Sequence, residues 1–309
     1  MLLFAILKAV MSKRKITLGG SEALLGAAIL FAFTNVLVRE MSSMWGDQAQ
    51  VAARFALVWV ILIFFAKLSK GKKTTIPRSK MKYAIAYSIL AATAILFFTL
   101  SIQNTSMANT LFTSNAAELF LAFLLGSFLL KEKITPRKLV SIGLALVGLI
   151  LYADSILIGS IGIIFGLLGG ATTALCNVLA KKLKGVDLGA TIRMQFGLGA
   201  VFMIVLTLVF SPYDIVRTVS IEGIVVIILF ALVLIVATRL VLYGFQHSDV
   251  NVATVILSSQ LAFGALLGFF LYQEALSIHE IISGALILCA AIIGGIAQKP
   301  TVKDIQIHS

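Results

Sequence analysis

Charged residues are scarce in this chain, at 12% of its 309 residues against 60% for hydrophobic residues. Soluble domains carry about twice that charged fraction, so the composition excludes a water-soluble globular protein. Cysteine and histidine are also rare, with two and three residues, and no group of Cys, His and acidic residues has metal-site spacing. Phosphate-binding glycine loops and hydrolase nucleophile motifs are missing. These absences argue against an enzyme and predict neither a metal nor a cofactor.

Proline is missing from every long apolar stretch, because Pro77, Pro136, Pro212 and Pro300 all fall in connecting segments or the tail. Ten apolar stretches remain, each near the roughly 20 residues that a helix needs to cross a bilayer. The predicted spans are 20–39, 48–66, 83–102, 107–130, 138–153, 159–180, 188–210, 223–245, 250–272 and 278–297. The sequence therefore predicts an all-α membrane protein with ten transmembrane helices.

Positive charge falls almost entirely on one side of this predicted topology. If the helices alternate in direction, only Arg39 and Arg217 lie in segments on the other side. The basic residues on the rich side are Lys8, Lys13, Arg14, Lys15, Lys67, Lys70, Lys72, Lys73, Arg78, Lys80, Lys82, Lys131, Lys133, Arg137, Lys138, Lys181, Lys182, Lys184, Lys299 and Lys303. This positive-inside pattern predicts a multi-pass plasma-membrane protein with both termini in the cytoplasm. The net charge of +12 then indicates contact with anionic lipid and not with nucleic acid.

The first five spans recur in the second five at an offset of about 142 residues. Gly126 to Glu132 matches Gly268 to Glu274, and Asn35 matches Asn177 within a shared Asn-Val-Leu. Ordered matches at a near-constant offset indicate an internal repeat. Because five is odd, the second repeat must cross the membrane in the opposite sense, as in secondary transporters.

The predicted organisation follows from this repeat. We expect two inverted five-helix repeats between short cytoplasmic tails, with boundaries at 1–19, 20–153, 159–297 and 298–309. Met11 is followed by Ser-Lys-Arg-Lys, which is typical of a translation start. Residues 1–10 are therefore expected to be either an extension or a short tail.

The repeated residues resemble the drug/metabolite transporter superfamily, and within it the EamA group. The matching features are Arg54-Phe55, Arg193, Glu118–Glu132, Gln260–Glu274, Gly143 and Gly284. The resemblance implies a central cavity between the repeats and proton-linked or gradient-driven movement of small metabolites, often amino acids and often outward. Many members have a proline directly after the position of Glu118, where this chain has Leu119 in one repeat and Leu261 in the other. A helix break must therefore arise at Gly, Ser or Asn, and a sharp kink in the fourth helix is not expected.

Glu118 is the only acidic residue deep in a predicted span. A charge at the bilayer centre costs roughly 2.5–3.5 kcal/mol, so acids at this depth are candidates for function. Thr110, Ser114 and Asn115 share its helical face, and a polar face must contact protein or a wet cavity because lipid cannot satisfy it. We expect Glu118 to bind a proton, a cation or a substrate amine. The alternative is a protonated side chain that only bonds to a neighbouring helix.

Three amides are expected near the middle of the membrane. Gln260 matches Glu118 in the second repeat, and Asn35 and Asn177 match each other. An amide both donates and accepts hydrogen bonds, which suits a cavity that binds amino or carboxyl groups. Each could equally join two helices by an interhelical hydrogen bond.

Basic and small residues complete the candidates. Arg54 and Arg193 lie at opposite depths in matching spans and are gate candidates, unless their head groups extend to the interface. Arg239 and Tyr243 lie on one face of the eighth span, where Arg239 could pair with Glu118 or an anionic substrate, or extend to the interface. Small residues spaced by four predict close helix packing: Gly162, Gly166, Gly170 and Ala174 on the sixth span, and Gly264 and Gly268 on the ninth.

The function predicted from the sequence is alternating-access export of a small polar metabolite or amino-acid-like solute, with proton coupling at Glu118. The alternatives are uptake of a sugar, a nucleotide sugar or a choline-like cation, and a membrane subunit that transports nothing. The expected partners are a small-molecule substrate and membrane lipid, and a homodimer stays open. Substrate, direction, coupling ion and oligomeric state are not specified by these motifs.

Overall fold

The computed structural model describes residues 19–41, 47–68, 75–105, 107–152, 160–210, 221–273 and 277–297. All regular secondary structure in these ranges is α-helical, which confirms the predicted all-α class. Nearly all of both predicted tails lies outside the described residues, as does the predicted extension at 1–10.

The described helices are α1 (Gly20–Met41), α2 (Asp47–Leu68), α3 (Arg78–Asn104), α4 (Met107–Phe128), α5 (Pro136–Tyr152), α6 (Ile161–Lys182), α7 (Leu188–Phe210), α8 (Ile221–His247), α9 (Val250–Ser258), α10 (Gln260–Tyr272) and α11 (Ile278–Ala297). In this part of the chain, eight are long and apolar enough to cross a membrane when α9 and α10 count as one span. The others are α1 and the 17-residue α5, which is at the short end of the spanning range. The ten predicted spans are thus all helical.

The ninth span is broken at Ser259, between α9 and α10. The Ser258 hydroxyl donates to the Val255 carbonyl at 2.8 Å, and the Ser259 hydroxyl to the Ile256 carbonyl at 2.6 Å. The Ser259 amide also donates to Ile256, at 3.2 Å, instead of reaching one residue further back. Serine side chains that bond to preceding carbonyls bend helices. The related helix α4 is continuous from Met107 to Phe128, in agreement with the expectation of no sharp kink there.

The two repeats exchange their first helices. In the described chain α1 packs on α8, α9 and α10 of the second repeat, while α6 packs on α3 and α4 of the first. Two further contacts pair equivalent helices, α2 with α7 and α5 with α11. These principal contacts of one repeat have counterparts in the other, as expected of two inverted repeats.

The exterior of the bundle is apolar, as a lipid-facing surface requires. Large side chains such as Phe128, Phe210, Ile221 and Phe270 are exposed. The interior is built from alanine, branched aliphatic and aromatic side chains, and the rings of Phe55 and Phe196 lie 5.1 Å apart between α2 and α7. Polar side chains that are buried in this bundle must therefore find partners within the protein.

Loops that are distant in sequence meet at one end of the bundle, which we call the lysine face and define by Lys80, Lys138, Lys181 and Lys182. The Lys80 ammonium donates to the Lys182 carbonyl at 2.6 Å, joining the start of α3 to the end of α6. The Lys138 ammonium lies 2.6 Å from Asp249 Oδ2, joining the start of α5 to the start of α9. These connections place the described lysine-bearing segments at the same end of the bundle, as alternating helices require.

Candidate functional site

Helices α4 and α6 pack closely because glycines of α6 face α4. We call this contact the α4–α6 seam. A Cβ added at Gly166 would collide with Thr113 Oγ1, and one added at Gly170 would collide with the Ser114 carbonyl oxygen. The predicted packing surface on the sixth span is therefore confirmed. The same prediction is wrong at Gly264 on α10, where an added Cβ would meet nothing within 4 Å.

Glu118 faces this seam from α4. The Asn177 amide nitrogen, on α6, donates to Glu118 Oε1 at 2.8 Å, and both side chains are buried. The seam joins the two repeats, so this bond connects the only mid-span acid of the first repeat to an amide of the second. Because the amide donates, the bond can form whether the carboxyl group is protonated or ionised.

Ser114 belongs to the same contact, one turn from Glu118. Its hydroxyl donates to the Gly166 carbonyl at 3.1 Å, again across the seam. Asn115 is also buried, but its amide donates to the Leu111 carbonyl of its own helix at 2.8 Å. Thr110, the remaining residue of the predicted polar face, shares a hydrogen bond of 2.9 Å with the Ser101 hydroxyl on α3. The face therefore contacts α6 through Glu118 and Ser114 and α3 through Thr110, whereas Asn115 bonds to its own helix.

Cys176, next to Asn177 on α6, contacts Tyr87 on α3, and the sequence indicated no functional role for either residue. Cys176 precedes Asn177 on α6 and lies within electrostatic range of the Glu118 carboxyl group. Its sulfur lies 4.0 Å from the Tyr87 carbonyl oxygen on α3. The one feature of the sequence that could have indicated Cys176 is its position next to Asn177. A small apolar side chain at that position is also typical of simple helix packing.

Two other predicted amides lie elsewhere. Gln260 is the first residue of α10, directly after the break at Ser259, and is half-buried. Asn35 lies within α1, but its side chain is outside the described residues. The structure therefore pairs Glu118 with Asn177, while Gln260 belongs to the broken ninth span.

Arg54 is buried on α2, with its guanidinium 4.9 Å from the ring centroid of Phe230 on α8. It also donates to the Gln50 side chain one turn earlier. The Arg54 head group is therefore buried between helices and does not extend along the surface to the membrane interface. Arg193, the other gate candidate, is half-buried on α7.

Arg239 and Tyr243 lie on α8 towards the lysine face. Arg239 interacts electrostatically with Asp187, whose carboxylate accepts the Ala190 amide at the start of α7 at 2.7 Å. The Tyr243 ring stacks on His247, with centroids 4.1 Å apart. Asp187 is thus a negative charge close enough to affect Arg239, and it lies at the start of α7.

Comparison with known proteins gives the family. The model of the EamA-like transporter family matches residues 19–153 and 160–294. A Helicobacter pylori protein named as an uncharacterized transporter is 23% identical over 301 residues, covering 95% of this chain and 99% of its own. An Archaeoglobus fulgidus protein with the same name is 25% identical over 278 residues, covering 89% and 95%.

A solved structure of another protein superposes with a TM-score of 0.76, covering 91% of this chain and 97% of its own. At 16% identity that likeness shows the fold alone. The family match spans both repeats and agrees with the helical bundle and its repeat-crossing seam. The chain belongs to the EamA-like transporter family and is a multi-pass membrane transporter.

Proposed function

We propose that this protein is a proton-coupled exporter of small polar metabolites or amino-acid-like solutes, with Glu118 as its coupling site. The observation that carries the proposal is the buried bond from Asn177 to Glu118. It places a titratable group at the contact between two repeats whose relative movement would open one side of the membrane or the other.

The coupling follows from the cost of a charge at this depth. A protonated Glu118 is compatible with burial at the α4–α6 seam, and it keeps the bond from Asn177. An ionised Glu118 costs roughly 2.5–3.5 kcal/mol in an apolar span, so ionisation favours any conformation that admits water or a cation to the carboxylate. A proton therefore shifts the equilibrium between two conformations by its different affinity for each.

A substrate amine fits the same carboxylate. An ammonium group can replace the proton as the partner of Glu118, so substrate and proton compete for one site. Asn177 remains beside it as an amide able to bind a polar group of the solute. Competition of this kind gives exchange of substrate for protons without a second acidic residue.

Orientation is inferred from charge. The lysine face would lie in the cytoplasm of a plasma-membrane protein, since positive residues are retained on that side during insertion. Both termini would then be cytoplasmic, and export would carry solute from the lysine face to the opposite face.

The decisive experiment compares Glu118→Gln with wild type in proteoliposomes under an imposed pH gradient. Glutamine keeps an oxygen that can accept from Asn177 but cannot exchange a proton, so we expect gradient-driven flux to be lost while the protein stays folded. Glu280→Gln is the matched control, because Glu280 is bonded to Ser277 at the start of α11. Full flux in Glu118→Gln would remove this residue from coupling.

An organic cation is the second candidate substrate, because a single buried carboxylate is complementary to a choline-like head group. Uptake and export are separated in the same vesicles by loading the labelled cation inside or outside. Inward flux of the cation, with no export of amino-acid-like solutes, would replace the first proposal.

A further inference from the structure

The start of α9 is capped by a residue of the other repeat. Asp249 occupies the N-cap position of α9 but makes no side-chain cap bond. Instead, Glu132, in the loop after α4, accepts the backbone amides of Val250 at 2.8 Å and Asn251 at 3.3 Å. A carboxylate at a helix N-terminus satisfies unpaired amides and is favoured by the helix dipole. This cap therefore joins the first repeat to the second.

Ion pairs surround the cap on the lysine face. The Lys138 ammonium lies 2.6 Å from Asp249 Oδ2, and the Lys181 ammonium lies 3.6 Å from both Glu132 Oε1 and Asp249 Oδ1. Lys181 also donates to the Ser248 carbonyl. Lys138 and Glu132 belong to the first repeat, and Lys181, Ser248 and Asp249 to the second. The contacts of Lys181 with Asp249 and Ser248 lie within the second repeat, and the other contacts described here cross between the repeats.

The backbone is shaped to allow this contact. A Cβ added at Gly126, near the end of α4, would collide with the side-chain oxygen of Asn251 and would lie 2.9 Å from Glu132 Oε2. A larger residue at this position would require the side-chain ends of Asn251 and Glu132 to move. The cap, the ion pairs and this close approach together hold α4 and α9 at the lysine face.

Part of this chemistry recurs at the related positions. Residues 142 positions from Gly126, Glu132, Lys181 and Asn251 are Gly268, Glu274, Arg39 and Asn109. The positions that match Lys138 and Asp249 are Glu280 and Met107, so the Lys138–Asp249 ion pair has no counterpart in the second repeat. The side chains of Arg39 and Glu274 lie outside the described residues. The lysine face therefore carries an ion pair that the sequence does not repeat for the opposite side of the membrane.

We propose that Glu132, Lys138, Lys181 and Asp249, with the amides of α9, form a lock that closes the lysine face between the repeats. This inference rests on the proposed transport function and names the residues that close one side. When the lock opens, the ammonium and carboxylate groups and the α9 amides return to water. Solvation offsets most of the lost bonds, so the lock can open reversibly.

The test measures the distance across the lysine face in purified full-length protein. Spin labels at Lys133→Cys and Lys184→Cys, both exposed, report the separation of the loops after α4 and α6 in a Cys289→Ala background with the buried Cys176 retained. Glu132→Ala should raise the ratio of long to short distances on the order of tenfold, because it removes the charged cap that joins α9 to the first repeat. An unchanged distribution would overturn the lock.

Glu22→Ala is the matched control. Glu22 accepts the Gly19 amide at 2.9 Å, so it also serves a helix start, but the bond stays within α1. Its removal should leave the distances unchanged, and a shift as large as that of Glu132→Ala would show a general effect of losing a cap, which would also overturn the proposal.

A second variant decides the case if Glu132→Ala does not fold. Lys181→Met keeps the length of the side chain but removes the ammonium group that lies 3.6 Å from Glu132 Oε1 and Asp249 Oδ1, so it should shift the distances in the same direction; unchanged distances would again overturn the lock. These measurements need neither substrate nor pH gradient. If the variants shift the distances but the wild-type protein shows no flux, the transport proposal is contradicted and the lock stands. If the wild-type protein shows normal coupled flux but the variants shift no distance, the lock is contradicted and the transport proposal stands.

Discussion

At the scale of residues, the candidate site is one cross-repeat bond. The sequence singled out both Glu118 and Asn177, the first as a mid-span acid and the second as the repeat mate of Asn35. It did not pair them, because an internal repeat relates positions within equivalent helices and carries no information about contacts between different helices. The same limit applies to Glu132. It ends a motif that recurs in the second repeat, but its contact with α9 depends on how the repeats pack.

Replacing Asn177 with leucine should weaken substrate binding. Leucine has a similar volume but cannot donate, so the Glu118 carboxyl loses its partner, and a buried unpaired polar group costs about 1–3 kcal/mol. We expect the thermal shift produced by a bound substrate to shrink in Asn177→Leu by more than the expression level falls.

The control for that variant is Asn104→Leu, because Asn104 is exposed and donates to the Leu100 carbonyl of its own helix at 2.8 Å. It should leave the ligand-induced shift intact. If instead Asn177→Leu lowers expression and leaves binding unchanged, Asn177 is structural and does not contact substrate.

At the scale of elements, the ends of several helices could be predicted from the length of the apolar stretches and from the absence of proline within them. The spans predicted at 188–210, 250–272 and 278–297 begin and end where α7, the α9–α10 pair and α11 do. α3 was predicted at 83–102 but begins at Arg78, since basic side chains at the interface are good helix formers and do not end a helix. The break at Ser259 could not be located, because serine tolerates both continuous and bent helices.

The α4–α6 seam should be the part of the bundle least tolerant of added volume. In Gly170→Ala the new methyl group meets the Ser114 carbonyl of the facing backbone, which cannot rotate away, and overpacking of this kind costs about 1–3 kcal/mol. A lower melting temperature of the detergent-solubilised protein is expected.

Gly143→Ala on α5 provides the comparison for that variant, because an added Cβ there meets nothing within 4 Å. Alanine is the better helix former by about 1 kcal/mol, so this variant should melt at the same temperature as wild type or higher. Equal melting temperatures for the two variants would show that the seam has room to adjust.

At the scale of the whole molecule, the sequence predicted ten spans and two inverted repeats from an odd helix number, a recurring motif and one-sided charge. It did not predict that α1 and α6 pack against the opposite repeat, because apolar helices carry little information about which neighbour they choose. That exchange has a functional consequence. Each repeat holds the first helix of the other, so the proposed relative movement of the repeats would change the contacts of Glu118 and those of the proposed lock together.

The topology that connects these two sites can be tested by labelling single cysteines with a membrane-impermeant thiol reagent, with Cys289 replaced by alanine. Lys184→Cys lies on the lysine face, and Gln103→Cys lies exposed near the opposite end of α3. Because basic loops are retained in the cytoplasm, Lys184→Cys should react only after the cells are opened, and Gln103→Cys should react in intact cells. The reverse pattern would turn the lock into an outer closure, and a proton reaching Glu118 when the lock opens would then come from outside the cell. Proposed export would become proposed uptake, although no contact within the bundle would differ.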